Sequence, residues 1–248
     1  EDDGAESGTL NGRFNADLTD DLALNSSLRY SRLETQSDTQ DFAFPATPTQ
    51  GLVIDTDGHA TRYELSGGVG LTLDTLGSDL VHKISLEGTS TRSKTVNSTG
   101  GLSGNVGRRY HADYQATYFL DTPSFAQASH RFTGGIEFER ETFQNSYPTA
   151  AAQAKTQSRN LYGGVFEYHG EFFEAFAVTA ALRHDRNDNF DDTTTYSLGS
   201  SYNFRETGTR LHASIGTGVT NPTFVEQFGF NPGTFVGNPG LKPEENFG

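Results

Sequence analysis

The feature that most constrains the fold is a strict alternation of apolar and polar residues that recurs from one end of the chain to the other. It is clearest over residues 63–74. One face there carries Tyr63, Leu65, Val69, Leu71 and Leu73, and the other carries Glu64, Ser66, Thr72 and Asp74. Because successive side chains of a β-strand point to opposite faces, this pattern predicts strands with one apolar and one polar face.

The alternation predicts ten antiparallel strands, most of them long. We place them near residues 9–18, 22–35, 61–74, 80–93, 108–121, 129–142, 158–169, 174–186, 193–204 and 209–219. Most exceed the roughly 5 to 6 residues usual in soluble sheets and reach the roughly 9 to 11 residues that cross a bilayer at a tilt. Length and alternation together favour an all-β fold, an antiparallel transmembrane β-barrel, over a β-sandwich.

The connections between these strands alternate in length. Short turns are predicted at residues 19–21, 75–79, 122–127, 170–173 and 205–208, and longer polar stretches at 36–60, 94–107 and 143–157. Tight turns at one end and extended loops at the other are typical of outer-membrane barrels. The order of the connections therefore supports the same fold class.

Composition agrees with a barrel that has a wet interior. Only 33% of the residues are hydrophobic, and the mean hydropathy is −0.58. A barrel of this kind needs apolar residues on one face of each strand only. A polar soluble β-sandwich remains an alternative on composition alone. No apolar run is long enough for a membrane helix, and the chain opens on Glu-Asp-Asp-Gly, so we expect any secretory signal to lie upstream or to have been removed.

Charge and motifs exclude several classes of function. The formal net charge of −14 disfavours nucleic acid as a partner, because phosphate binding needs clusters of Lys and Arg. The seven His residues are scattered without the spacing of zinc ligands, and there is no Cys. No Gly-x-Ser-x-Gly elbow occurs. We therefore predict that the chain is not an enzyme.

The last strand is followed by a segment rich in Pro, Gly and Phe, residues 216–245. Its sequence, with that of residues 182–204, resembles the TonB-dependent receptors of the outer membrane of Gram-negative bacteria. The residues that match the family motif are Asn221, Pro222, Thr223, Phe224, Asn238, Pro239, Leu241, Pro243 and Glu244. The chain departs from the family at Thr220, where Arg or Lys is common, and at Gly240, where Asn is common.

The resemblance implies a partial structure. Receptors of this kind have barrels of about 22 strands around a plugged lumen, so residues 1–248 are expected to form part of one β-barrel domain, with the plug domain and the C-terminal strands absent. It also implies contact with outer-membrane lipid and with TonB, the latter through regions outside this chain.

The resemblance further implies a function, the uptake of a large scarce nutrient such as a ferric siderophore or cobalamin. Residues 223–237 contain no His, which disfavours heme as the ligand. Two alternatives stay open. One is a passive porin or structural outer-membrane barrel, and the other is a soluble β-sandwich adhesin domain.

Two groups of residues are candidates for binding. Phe224, Phe228, Phe230 and Phe235 lie in a segment that Pro and Gly make into a structured loop, where they either contact a bulky ligand or pack against neighbours. Asp185, Asp188, Asp191 and Asp192 cluster in an outer loop, where carboxylates either bind calcium or face solvent. We predict no other cofactor.

Overall fold

The computed structural model of the protein is built almost entirely from β-strands. It describes residues 4–148, 154–231 and 235–248. The strands are β1 (Ala5–Asp17), β2 (Leu22–Gln40), β3 (Val53–Thr75), β4 (Leu80–Val96), β5 (Leu102–Thr122), β6 (Ala128–Asn145), β7 (Gln157–Phe172), β8 (Phe176–Asn187), β9 (Thr193–Phe204), β10 (Thr209–Thr220), β11 (Phe230–Asn231), β12 (Phe235–Val236) and β13 (Glu244–Phe247). One short helix, α1 (Phe224–Phe228), follows β10.

Eleven of these strands form one antiparallel sheet in which each strand pairs with its neighbour in sequence. The order runs from β1 to β10 without interruption and ends at β13, which pairs with β10. The remaining pair, β11 and β12, forms a separate small hairpin. The prediction of an all-β antiparallel meander of about ten long strands is confirmed.

The register of the sheet separates apolar from polar residues. One row of paired residues crosses β2 to β6 as Leu24, Leu71, Ile84, Tyr114 and Ile136. One residue away along each strand, a second row reads Asn25, Gly70, Ser85, Asp113 and Glu137. Adjacent residues of a strand point to opposite faces, so the sheet has one apolar face and one polar face.

The apolar face is exposed rather than packed in a core. Among the described residues, the buried apolar side chains are limited to Ala128, Phe143, Pro222 and Phe224. Ile136 is 66% exposed, although it lies in the middle of a central strand. An apolar surface that continues across neighbouring strands from β2 to β6 requires a partner other than water. Its strands are long enough for that partner to be lipid.

The strands extend further than the sequence pattern predicts, and the long connections are correspondingly shorter. The connection predicted at 36–60 shrinks to residues 41–52, and the one at 94–107 shrinks to residues 97–101. The connection predicted at 143–157 becomes 146–156, of which residues 149–153 lie outside the described residues. The added end of β2, residues 36–40, is polar on both faces, because a strand that projects beyond a membrane has water on both sides.

One prediction about the end of the chain is wrong. The strand that returns after β10 was expected to lie beyond residue 248, but it begins at Glu244 as β13. Its register is set by Thr217 opposite Phe247 and Thr220 opposite Glu244. Among the described residues, no helix is both long and apolar enough to cross a membrane.

Polar groups on the apolar face are paired near the short turns. His82 Nε2 lies 3.1 Å from Thr75 Oγ1 and His82 Nδ1 lies 2.8 Å from the Tyr114 hydroxyl. The Thr75 hydroxyl donates to the carbonyl of Leu80, so it accepts from Nε2–H, and Nδ1 accepts from Tyr114. Tyr and His with satisfied polar ends suit the interface between lipid and water.

The same arrangement recurs two strands further along the sheet. It is formed by Thr122, His130 and Tyr168, with distances of 3.1 Å and 2.9 Å to the two ring nitrogens. The repeat places a polar and aromatic belt along the short-turn end of the apolar face.

The outer connection 41–52 is organised around one carboxylate. Asp41 is buried and accepts hydrogen bonds from the Ala43 N–H (2.8 Å) and from the hydroxyls of Thr47 (2.5 Å) and Thr49 (2.7 Å). The backbone of Asp41 is also paired with Leu52. These donors stabilise the charged form, and they hold the pKa of Asp41 below its ordinary value of 3.8.

We predict that the apolar face tolerates no charge. Ile136→Arg places a guanidinium on the lipid face and should destabilise the folded barrel by about 2–4 kcal/mol, the cost of Arg near the bilayer midplane. Gln115→Arg, on the polar face of the neighbouring strand, is the matched control and should change stability little. Urea unfolding of the full receptor in lipid vesicles measures both. Equal effects would mean that the two faces are assigned wrongly.

We also predict that acid loosens the connection 41–52. A carboxylate with a lowered pKa stabilises the native loop at neutral pH, and this contribution disappears as pH falls through the native pKa, below 3.8. Amide hydrogen exchange of residues 43–52 should therefore stay slow at pH 5 and accelerate below pH 3.8 after correction for intrinsic rates. Asp41→Asn should accelerate it at pH 7, whereas Asp57→Asn, the same charge change on β3, should not.

Candidate functional site

The candidate site is built around the terminal segment, residues 221–243, which follows β10. Its first element is α1, which begins with a reciprocal capping box. Thr223 Oγ1 accepts from the Glu226 N–H (3.2 Å), and the Thr223 N–H donates to Glu226 Oε2 (2.7 Å). The pattern Thr-x-x-Glu is a known signal for a helix start. Sequence reasoning predicted only a structured loop here and missed it.

The terminal segment then doubles back on itself. The Gly237 N–H donates to the Gly229 carbonyl (2.9 Å), and the Asn238 N–H donates to the Glu226 carbonyl (2.8 Å). A Cβ at Gly237 would lie 2.6 Å from the carbonyl carbon of Gln227. Glycine is therefore required for this close approach of two backbones.

The terminal segment lies over the polar face of the sheet. The ring of Phe224 stacks on Phe143 of β6, with centroids 6.0 Å apart and planes within 3°. Asn145, two residues further along β6, donates from Nδ2 to the Phe228 carbonyl (2.9 Å). Phe143 and Asn145 share the face of Glu137. In a barrel this polar face surrounds the lumen, so the segment folds inward.

Arg159 of β7 anchors the terminal segment to the wall. Its Nε and Nη2 donate to Glu141 Oε2 (3.0 and 2.5 Å), and its Nη1 donates to the Pro222 carbonyl (3.0 Å). The guanidinium carbon lies 4.8 Å from the ring centroid of Phe224. Arg159 thus combines an ion pair, a backbone hydrogen bond and a cation–π contact.

The four predicted aromatic residues have different environments. Phe224 is only 9% exposed and packs against the wall, so its contacts are structural. Phe228 and Phe230 are half-buried, and Phe235 is 43% exposed. Three of the four therefore keep surface that a ligand can reach.

The residues of the family motif shape the two ends of the terminal segment. Pro222 is buried and its carbonyl accepts from Arg159, while Thr223 caps α1. Asn238 accepts from the N–H of Gly240 (3.0 Å) through Oδ1 and forms a turn with Leu241. Asn221 and Pro243 are half-buried, Pro239 is exposed, and Glu244 starts β13.

A small cavity of about 180 Å³ separates the terminal segment from the wall. Phe143, Gln227, Phe228, Val236 and Lys155 are among the residues that line it. Sites for drug-sized ligands usually occupy about 300–1,000 Å³. The cavity alone is therefore too small for a bulky ligand.

Charged residues cover the polar face between β5 and β8. Arg183 forms ion pairs with Glu137 and with Asp185 (2.7 Å). Arg109 pairs with Glu139 in the same way, its Nε lying 2.6 Å from Oε2. Sequence reasoning named only Asp185 of this group, because the hydrophobic pattern gives the face on which a charged residue lies but not the charge with which it pairs.

A glycine makes possible the one of these ion pairs that crosses an intervening strand. Arg183 lies on β8 and Glu137 on β6, so the pair has to pass over β7. It crosses at Gly163, where a Cβ would lie 2.7 Å from Glu137 Cγ and 2.8 Å from Arg183 Nη2. Because Gly163 has no side chain, the side chains of Arg183 and Glu137 can meet above β7.

The four aspartates proposed as calcium ligands have other contacts or lie apart. Asp185 pairs with Arg183, and Asp188 accepts from Asn160 Nδ2 (2.6 Å). Asp191 and Asp192 are exposed in the connection after β8. Within the described ranges, no three His, Asp or Glu side chains group as metal ligands would. The calcium site remains a prediction from the sequence.

Comparison with known proteins identifies the class. The family described as TonB dependent receptor-like, beta-barrel, matches residues 1–247. The chain belongs to this family, whose barrels lie in the outer membrane of Gram-negative bacteria. The expected family, fold class and location are confirmed.

Individual relatives agree with this assignment. The vitamin B12 transporter BtuB of Vibrio vulnificus is 34% identical over 68 residues, a match that covers 27% of this chain and 10% of that protein. The siderophore receptor PirA of Pseudomonas aeruginosa superposes with a TM-score of 0.74 at 16% identity, over 98% of this chain and 42% of that receptor.

A third relative has a similar fold and a different ligand. The Serratia marcescens hemophore receptor HasR, solved as a double mutant with its hemophore HasA and heme, superposes with a TM-score of 0.75 at 12% identity. The match covers 97% of this chain and 41% of that receptor. At such identities the likeness concerns the fold alone, and the chain spans about two fifths of these solved receptors.

We predict that a methyl group at Gly163 displaces the bridge from Arg183 to Glu137. Gly163→Ala should lower barrel stability by about 1 kcal/mol, since the pair is partly exposed to water. Gly164→Ala is the matched control, because no atom lies within 4 Å of a Cβ there. Urea unfolding in vesicles measures both variants. A loss in Gly163→Ala that persists in the background Arg183→Gln would argue against the bridge.

Proposed function

We propose that the protein of which this chain is a part imports a large scarce nutrient, such as a ferric siderophore or cobalamin, in a TonB-dependent manner. The ligand first contacts the aromatic side chains of the terminal segment and then enters the lumen. The observation that carries this proposal is the inward fold of the terminal segment, which brings Phe228 over the polar face at the long-loop end of the sheet.

Aromatic side chains suit a ligand of this kind. Planar catecholate groups and the corrin ring both offer faces for stacking, and aromatic rings supply large contact areas at low entropic cost. Phe235 is the most exposed of the four predicted residues, and Phe228 borders the small cavity behind the segment. Because that cavity is small, we place the ligand on the lumenal surface of the segment and not behind it.

The relatives support uptake as the function class. Two of them are named for vitamin B12 transport and for siderophore reception. The third was solved with heme, but residues 223–237 of this chain contain no His as an axial ligand for heme iron. We therefore favour a siderophore or cobalamin as cargo.

A passive porin is the second candidate. A porin leaves a water-filled channel through which small solutes diffuse. The terminal segment is pinned across the polar face by Arg159 and Asn145 and occupies space near the mouth. This arrangement favours a gated receptor over an open pore.

The experiment uses cells that express the full receptor and measures uptake of ferric enterobactin and of cyanocobalamin. We expect one of the two probes to be taken up, and uptake to stop when TonB is deleted. Phe235→Ala should weaken binding of that probe by about 5- to 30-fold, as for an aromatic anchor of 1–2 kcal/mol. Tyr202→Ala, on the lipid face of β9, is the control and should leave binding unchanged.

Two outcomes would contradict the proposal. Uptake that persists without TonB and includes unrelated small solutes would indicate a porin. Unchanged binding in Phe235→Ala together with Phe228→Ala would show that the aromatic residues of the terminal segment do not contact the ligand.

A further inference from the structure

Arg159 touches a second outer connection besides the terminal segment. Its guanidinium carbon lies 5.8 Å from the ring centroid of Phe190, which belongs to the connection 188–192 between β8 and β9. The side chain of Arg159 is only 12% exposed, and its other partners are Glu141, Pro222 and Phe224. One guanidinium therefore lies between two outer connections and the wall.

The chemistry of Arg explains why one side chain can make all these contacts. A guanidinium has five N–H donors in its plane and an apolar surface on each side of it. The in-plane donors bind the Glu141 carboxylate and the Pro222 carbonyl. The rings of Phe224 and Phe190 meet the same group as cation–π partners.

We propose that Arg159 is a positioning residue that couples the connection 188–192 to the terminal segment. The ion pair with Glu141 holds the orientation of the guanidinium, and that orientation places Phe190 and Phe224 relative to each other. Displacing Phe190 removes one side of the support for Arg159, so the terminal segment loosens. Displacing the terminal segment removes the Pro222 carbonyl and the Phe224 ring, so the connection 188–192 loosens in turn.

The coupling has a consequence for ligand uptake, and this consequence rests on the proposed function. A ligand that reaches Phe228 or Phe235 also shifts the connection 188–192, because the positions of the terminal segment and of this connection both depend on the orientation of Arg159. Couplings carried by packed networks typically change affinity by about 2- to 30-fold when a member is mutated. We expect Arg159→Gln to weaken probe binding within this range although Arg159 does not contact the ligand.

The test measures the coupling without any ligand. Spin labels at Val225 and Asp192, each paired with a reference label at Ser200 of β9, report the two connections in the full receptor reconstituted in lipid. All three positions are exposed, and the chain contains no Cys to compete for labelling. Wild-type receptor should show a narrow distance distribution for both pairs, and Arg159→Gln should broaden both.

A double-mutant comparison separates coupling from local damage. Phe190→Ala should broaden the Val225 distribution in the wild-type background and have no further effect in Arg159→Gln. Arg159→Lys should keep the ion pair with Glu141 but lose the hydrogen bond to the Pro222 carbonyl. It should therefore broaden the distance distribution of the Val225 label and change that of the Asp192 label less. A difference in mobility between unheated and heated samples on SDS gels establishes that each variant is a folded barrel.

Arg109→Gln is the matched control. Arg109 lies on β5 and forms an ion pair on the same polar face, its Nε donating to Glu139 Oε2 (2.6 Å). It should leave both distributions narrow. The proposal is wrong if Arg159→Gln broadens only one distribution or neither, or if Phe190→Ala acts equally in both backgrounds. If neither ferric enterobactin nor cyanocobalamin binds, the proposed function is rejected. The spin-label distances are measured without ligand, so they still test the coupling through Arg159.

Discussion

The structure depends on the hydrogen-bond ladder that runs without interruption from β1 to β10. In lipid no water can pair with backbone N–H and C=O groups, so each spanning strand needs a neighbour on both sides. The same ladder fixes the register, and a shift of one residue would exchange the two faces of a strand. The row from Leu24 to Ile136 and the adjacent row from Asn25 to Glu137 are therefore consequences of one set of backbone bonds.

Sequence periodicity predicts the strands wherever the two faces have different surroundings. It predicts all ten spanning strands and four of the five short turns, because lipid on one side and water on the other leave a period of two. The turn predicted at 170–173 lies at residues 173–175, since β7 continues to Phe172. It fails at residues 36–40 and 53–60, where the ladder continues into water and neither face has to be apolar. Local polar signals were also missed, since Thr223 and Glu226 mark α1 without any change in hydrophobic pattern.

The sequence predicts which segment and which aromatic residues form the candidate site, but it does not predict the contacts that hold them in place. The segment that carries Phe224 and Phe228 stands out in the sequence by its Pro, Gly and Phe content. Its supports, Arg159 and Asn145, lie 63 and 83 residues away from their partners in the chain. Such contacts follow from the curvature of the sheet and the length of each strand. Neither the curvature of the sheet nor the exact length of a strand can be derived from the hydrophobic period of the sequence. The anchoring role of Arg159 is therefore evident only in the structure.

The polar face also differs from one side of the sheet to the other, and this bears on what can occupy the lumen. Between β2 and β4 a recess of about 230 Å³ is lined by small polar residues and glycines, among them Asn25, Ser27, Gly68 and Ser85, together with Glu87. Between β5 and β8 the face carries ion pairs that join different strands, as Arg109 with Glu139 and Arg183 with Glu137 do. The surface that faces the lumen therefore has a recess on one side and cross-strand ion pairs on the other. Ion pairs such as Arg183 with Glu137 lower the net charge of that second surface without removing its polarity.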